Sequence, residues 1–282
     1  MRKLLVILVG LGLFLGWGVP ARAQTGAEAD LYPVDGSAFP KMSTFLDVFD
    51  ATGRFVSGLK AEQVTILEDQ KPLVVKALNE MVVPMQLAVA INPGPAFGIR
   101  DNLGAGRFDA IHNALVAWGQ ALPVNMPDDM SLVSISGPII SHASPKDWLV
   151  SLSTFNPDFR ATTPNLQSLE VALDTVSVPP SRVGMKRAVL FITPHMDDTD
   201  LANQLQPLID KAIQNRVRVF VWFSDTEPYA ATTSPALFSE LAHQTGGAYY
   251  SASDTVPYPD PESYFAPLRR LYALQYDSMV KS

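Results

Sequence analysis

Gln86-Leu-Ala-Val-Ala-Ile-Asn92-Pro-Gly-Pro-Ala-Phe97 is the stretch that decides the fold. The apolar run over 85–91 is the mark of a strand covered on both faces. A tight loop follows at Asn92-Pro93-Gly94-Pro95-Ala96. Beyond it Phe108, Ile111, Leu115, Trp118 and Leu122 recur at spacings of three and four, which predicts an amphipathic helix. Strand, loop and helix in that order form the junction where open α/β sheets place their ligand sites.

The same grammar continues downstream. Strands are expected over 130–136, 188–193, 217–223 and 248–251, and an antiparallel neighbour over 138–142 follows Gly137. Helices are expected over 146–154, 201–215, 235–244 and 261–271. A further helix carries Leu166, Leu169, Leu173 and Val176 and ends at Pro179-Pro180; Gly246-Gly247 stops the one over 235–244. Alternating strands and helices predict a Rossmann-like α/β fold, a mostly parallel sheet flanked by helices and joined by right-handed crossovers. Upstream, 39–80 reads as several short strands with turns between them, a small β unit that needs something to pack on. The alternating segment 272–278 is expected to pair with it, so that the α/β domain over 84–271 is inserted into one β unit. Residues 24–38 lack periodicity and read as a flexible leader.

Arg2 and Lys3 precede an apolar run from Leu4 to Val19, then Pro20-Ala21-Arg22-Ala23. That pattern predicts a signal peptide over 1–23, cleaved after Ala23, and a mature chain that is secreted or held in a bacterial envelope without membrane insertion. Three of the 21 basic residues lie in that segment, so the formal charge falls from −7 to −10 on cleavage. Such a chain repels phosphate backbones, which argues against nucleic acid as a partner. It has no cysteine, which excludes disulfides, thiolate metal sites and cysteine nucleophiles.

Order and landmarks together resemble a von Willebrand factor A domain over about 85–271. The landmarks are the first strand ending at Asn92, Thr162-Thr163-Pro-Asn-Leu, Lys186-Arg-Ala-Val-Leu-Phe-Ile-Thr193, and Leu241-Ala-His-Gln-Thr-Gly-Gly-Ala-Tyr-Tyr250. The piece Gly53-x-x-Val-x-x-Leu followed by Val64-x-x-Leu-Glu-Asp is similar to a bacterial exported subgroup with a small β segment before the domain. The resemblance implies a metal-ion-dependent adhesion site: D-x-S-x-S on the first loop, a Thr on the second and an Asp on the third. Those oxygens suit Mg²⁺, which demands a hard octahedral shell. This chain has Asn92 for the first Asp, Gly94 and Ala96 for the serines, and Pro194 for the third-loop Asp. On the second loop either Pro164 or Thr163 takes the Thr position. The resemblance therefore implies a degenerate site, with no metal and no cofactor.

Other residues carry rival readings. Asp197, Asp198 and Asp200 beside His195 suggest either a displaced cation site, as in a metal-dependent hydrolase, or a solvated loop with Asp200 capping the next helix. His112, His142, His195 and His243 show no ligand spacing. Tyr249, Tyr250, Tyr258 and Tyr264 suggest a carbohydrate platform or ordinary sheet packing. Neither a nucleophile elbow nor a phosphate loop is present. The reading that results is an exported, non-enzymatic protein-interaction or adhesion module. Its candidate partner contacts are Pro93, Pro95, Phe97 and Arg100, and the partner protein is unidentified.

Overall fold

The computed structural model describes residues 5–6, 28–51, 54–100, 104–179, 182, 184–252 and 257–280. The expected signal peptide (apart from 5–6), its cleavage point, Gly53 and Pro180 lie outside the described residues. The chain divides into two compact units, Pro84–Ala266 and Met1–Val83 with Pro267–Ser282.

The larger unit is built on six strands: β1 Met85–Ile91, β2 Asp129–Ser134, β3 Gly137–Ala143, β4 Lys186–Thr193, β5 Val217–Ser224 and β6 Tyr249–Ala252. Their spatial order is 3-2-1-4-5-6, parallel except for β3, which returns antiparallel to β2. Every residue of β1 is buried, as its apolar run requires. Side chains alternate between the two faces of the sheet. Ala88, Ala90, Val189, Phe191, Val219, Val221 and Phe223 meet helices α3 (Gln167–Ser177), α4 (Leu201–Gln214) and Thr233–Gln244 in one apolar cluster. Helices α1 (Arg107–Ala121) and α2 (Pro145–Thr154) meet through Trp118 and Trp148, edge to face at 5.5 Å. Trp148 is anchored to β2 by a bond from its Nε1 to the Ser131 carbonyl at 3.2 Å. Full burial of each such ring stabilises by roughly 2–3 kcal/mol relative to exposure. The fold is α/β, Rossmann-like, with helices on both faces.

Strand order reverses between β1 and β4. β1 continues toward β2 and β3 on one side, β4 toward β5 and β6 on the other. The crevice beyond the carboxyl ends of those two strands is the topological switch point. Asn92 leaves β1 there and Pro194 leaves β4 there.

The smaller unit holds a sheet in the order Glu28–Leu31, Lys41–Phe49, Arg270–Asp277, Val75–Val82, with Asp35–Ala38 also paired to Lys41–Phe49. Arg270–Asp277 is antiparallel to both neighbours, Tyr272 standing opposite Leu46 on one side and Glu80 on the other. Tyr272, Leu274 and Tyr276 alternate inward onto Leu46, Val48, Ile66 and Val75. The Tyr272 hydroxyl accepts from the Leu59 amide at 3.0 Å and donates to the Val56 carbonyl at 2.9 Å, while Phe55 stacks on its ring at 5.2 Å. Two departures from the sequence reading belong here. Part of the expected leader forms strands at Glu28–Leu31 and Asp35–Ala38, and the last helix stops at Leu268 because Arg270 already belongs to the ladder.

Candidate functional site

Three loops converge at the switch point. Asn92, fully buried, first extends the ladder, its amide donating to the Ile192 carbonyl at 2.9 Å. Its side chain then joins the other two loops. Oδ1 accepts from the Asn165 amide at 3.1 Å, and Nδ2 donates to Thr193 Oγ1 at 2.9 Å, with Met196 Sδ at 3.7 Å. Thr193 Oγ1 donates its own proton to the Pro194 carbonyl at 2.9 Å.

Gly94 is buried in extended backbone, and two proline rings lie against it. A Cβ built there would stand 2.4 Å from Pro164 Cγ and 3.3 Å from Pro194 Cγ. Pro164 therefore faces Gly94, while Thr163 is exposed. Ala96 is half-buried, its carbonyl 3.5 Å from Arg107 Nη1.

The candidate contacts separate into two classes. Pro95 and Arg100 are exposed. Pro93 and Phe97 are not available to a partner: Pro93 is buried, and Phe97 has no exposed surface because Phe159 closes over it edge to face at 6.4 Å. Pro95, Ile99, Arg100, Phe108, Phe159 and Arg160 line a cleft of about 430 Å³ beside the first loop. Arg100 reaches the Gly104 carbonyl and stands 3.9 Å from Asp109 Oδ2, which accepts from the Gly106 amide at 2.7 Å. Asp158 sits at the other wall. The amides of Arg160 and Ala161 bond its carboxylate and hold it below the ordinary carboxylate range.

The third loop lines a separate cleft of about 470 Å³ that includes His195, Asp197 and Asp198 but not Asp200. The His195 ring stacks on Tyr229 at 4.6 Å, with Nδ1 2.9 Å from Ser234 Oγ and 3.1 Å from Thr232 Oγ1. Asp198 accepts from the Asp200 amide at 2.8 Å and from Gln204 Nε2 at 2.9 Å; Asp200 accepts from Asn203 Nδ2 at 2.6 Å. These carboxylates order the entry to α4. Asp200 occupies the cap position without a side-chain bond to the helix backbone. Among the described residues no group of three or more His, Asp or Glu is placed to hold a metal ion.

Asp225, which the sequence reading passed over, secures this loop. Nearly buried at the carboxyl end of β5, it accepts from the His195 amide at 2.8 Å and the Thr226 amide at 2.6 Å. A polar residue directly after a buried parallel strand is the signal that could have found it, since Asn92 stands in the same relation to β1. The four tyrosines do not all lie on one face: Tyr250 stands 6.4 Å from Tyr258, and Tyr249 lies apart from them. Tyr249 stacks on Phe223, whereas Tyr258 packs on Trp222 and Tyr264 on Phe220, side chains of the opposite face of β5.

No family model matches this chain, and no curated protein does. Solved structures resemble it. The VWA domain of SpRpn10 is 11% identical over 64% of this chain and 90% of that one, with a TM-score of 0.46. An aerotolerance-related membrane protein from Bacteroides fragilis is 10% identical over 60% and 92%, with a TM-score of 0.44. Proximal thread matrix protein 1 from the mussel byssus is 8% identical over 62% and 44%, at 0.43. Among the described residues no helix is long and apolar enough to cross a membrane.

Proposed function

We propose that this chain is an exported, non-enzymatic protein-interaction module of the von Willebrand A type whose apex works without a divalent cation. One observation carries the reading: the switch-point crevice is filled by Pro164 and Pro194 packed on Gly94, with a buried neutral amide beneath. A hydrated Mg²⁺ gives up water only for several hard oxygens with carboxylate charge among them. Asn92 Oδ1 already accepts the Asn165 amide, Ala96 and Pro194 bring no side-chain oxygen, and Gly94 has no room for one. The residues present do not fit the ion.

The acids near the apex support binding over catalysis, since Asp198, Asp200 and Asp225 each hold loop or helix-entry groups rather than converging on one reacting position. Export follows from the leader pattern of residues 1–23. A partner protein then meets the exposed rim of the first cleft, formed by Pro95, Ile99, Arg100 and Arg160.

The test is calorimetric titration of the mature chain with Mg²⁺, Mn²⁺ and Ca²⁺, beside capture from an envelope extract. Expected are no cation binding at micromolar concentrations and a captured protein that Ile99→Asp or Arg160→Glu releases. Micromolar cation binding lost on replacing Asn92 or Thr163 would sink the metal-free reading. Capture indifferent to both rim substitutions would sink the surface.

A further inference from the structure

We infer that the Asn92 carboxamide, with Pro164 and Pro194 packed over Gly94, is a permanent neutral cross-link that holds the three apex loops in the place of a cation. It deepens the metal-free part of the reading above and depends on no partner.

The three bonded residues come from distant parts of the chain, Asn165 lying 73 positions and Thr193 101 positions after Asn92. A cross-link at such separations orders loops that local structure alone leaves independent. The chemistry at each contact selects an amide. Asn165 presents a backbone N–H, which can only donate, so an acceptor oxygen has to face it. Thr193 has already given its proton to the Pro194 carbonyl, so its free lone pair needs a donor. Asparagine carries both on one planar group, and the polarised Met196 sulfur lies near the same nitrogen at 3.7 Å. Aspartate, identical in shape, offers acceptors only. Fully buried at that position, its charge would face the Thr193 lone pair.

The prolines complete the device. Their rings occupy the volume above Gly94, so the loops close on apolar contact where hydrated ion and serine hydroxyls would otherwise stand. A neutral amide does not titrate, and nothing in the cross-link can be chelated. The apex is thus held in one arrangement that neither divalent cations nor their removal alter.

The experiment uses the mature chain, its thermal midpoint read with EDTA and with millimolar Mg²⁺ or Ca²⁺, and hydrogen exchange read at the Asn165 amide. The wild-type midpoint is expected to be the same in all conditions. Asn92→Asp should lower it by about 3–8 °C whether or not cation is present, because one buried donor becomes an acceptor, while Asn165 stays protected. Asn92→Leu should lower the midpoint and also speed Asn165 exchange by about tenfold or more. If Asn92→Asp does not fold, Thr193→Val tests the donor arm alone, with a smaller loss of the same sign. A wild-type midpoint raised by cation would overturn the metal-free reading itself. Asn92→Asp as stable as wild type, Thr193→Val without effect, or Asn165 exchange unmoved by Asn92→Leu would overturn the cross-link alone.

Discussion

Gly247 lies so close to β5 that a Cβ built on it would stand 1.9 Å from the Val219 carbonyl oxygen. The clash is with backbone, which a side-chain rotation cannot relieve. Gly247→Ala should therefore force β5 and the Gly246–Gly247 turn apart and cost about 2–4 kcal/mol. Urea unfolding followed by far-UV dichroism checks this, with Gly98→Ala as the comparison, since a Cβ there meets Phe159 only at an ordinary contact distance of 3.6 Å.

At the apex the collision is between side chains, so it can be relieved. Gly94→Ala should destabilise by about 1–3 kcal/mol, because its methyl meets Pro164 Cγ at 2.4 Å. Removing that ring with Pro164→Ala should recover most of the loss. A double-mutant cycle should then show a coupling of at least about 1 kcal/mol. Additive losses would mean the ring does not fill that space.

Tyr272 gives a prediction in the smaller unit. Replacing it by Phe keeps the ring stacked on Phe55 but leaves the Leu59 amide without its acceptor, at a cost of about 1–2 kcal/mol. Retained stability with the same urea midpoint would show that water substitutes for the hydroxyl.

Alkaline pH should unfold the chain earlier than its net charge alone suggests. Burial raises the hydroxyl pKa of Tyr249, Tyr264, Tyr272 and Tyr276 above the ordinary value. The folded state therefore holds these protons more tightly than the unfolded state. Their contribution is complete below the ordinary tyrosine pKa of about 10 and is lost as pH climbs from there through the raised values. Urea midpoints should be flat across the range just below pH ~10 and fall above it. Tyr276→Phe should make that fall shallower.

The parallel sheet was legible because strands buried on both faces admit few polar residues, and the flanking helices left three-and-four stripes. The apex was only partly legible. Asn92, Gly94, Ala96 and Pro194 could be placed by strand ends, yet Thr163 and Pro164 could not be distinguished, since a loop carries no periodicity to set its register. Phe97 read as surface because Phe159, more than sixty positions away, packs against its ring. The strand at Glu28–Leu31 was missed for a different reason. Its backbone pairs with Lys41–Phe49 regardless of side chain, so a Gly- and Ala-rich composition gave no sign of it. The boundary near Leu268 was ambiguous because Leu268, Leu271 and Tyr272 suit a helical spacing, while the ladder with Val75–Val82 claims the backbone from Arg270 and that with Lys41–Phe49 from Tyr272.

Arg270–Asp277 is the strand between Lys41–Phe49 and Val75–Val82, and among the described residues no other strand joins those two. The strands made before Pro84 therefore wait, during synthesis, for a partner made only after Ala266. Everything in Pro84–Ala266 is made in the interval, and it can close its own core before its host has one. The early strands meanwhile carry open edges, the condition in which chains pair with the wrong neighbour. This gives the order of events a physical direction: the guest can fold first, and the host is sealed when Arg270–Asp277 joins it.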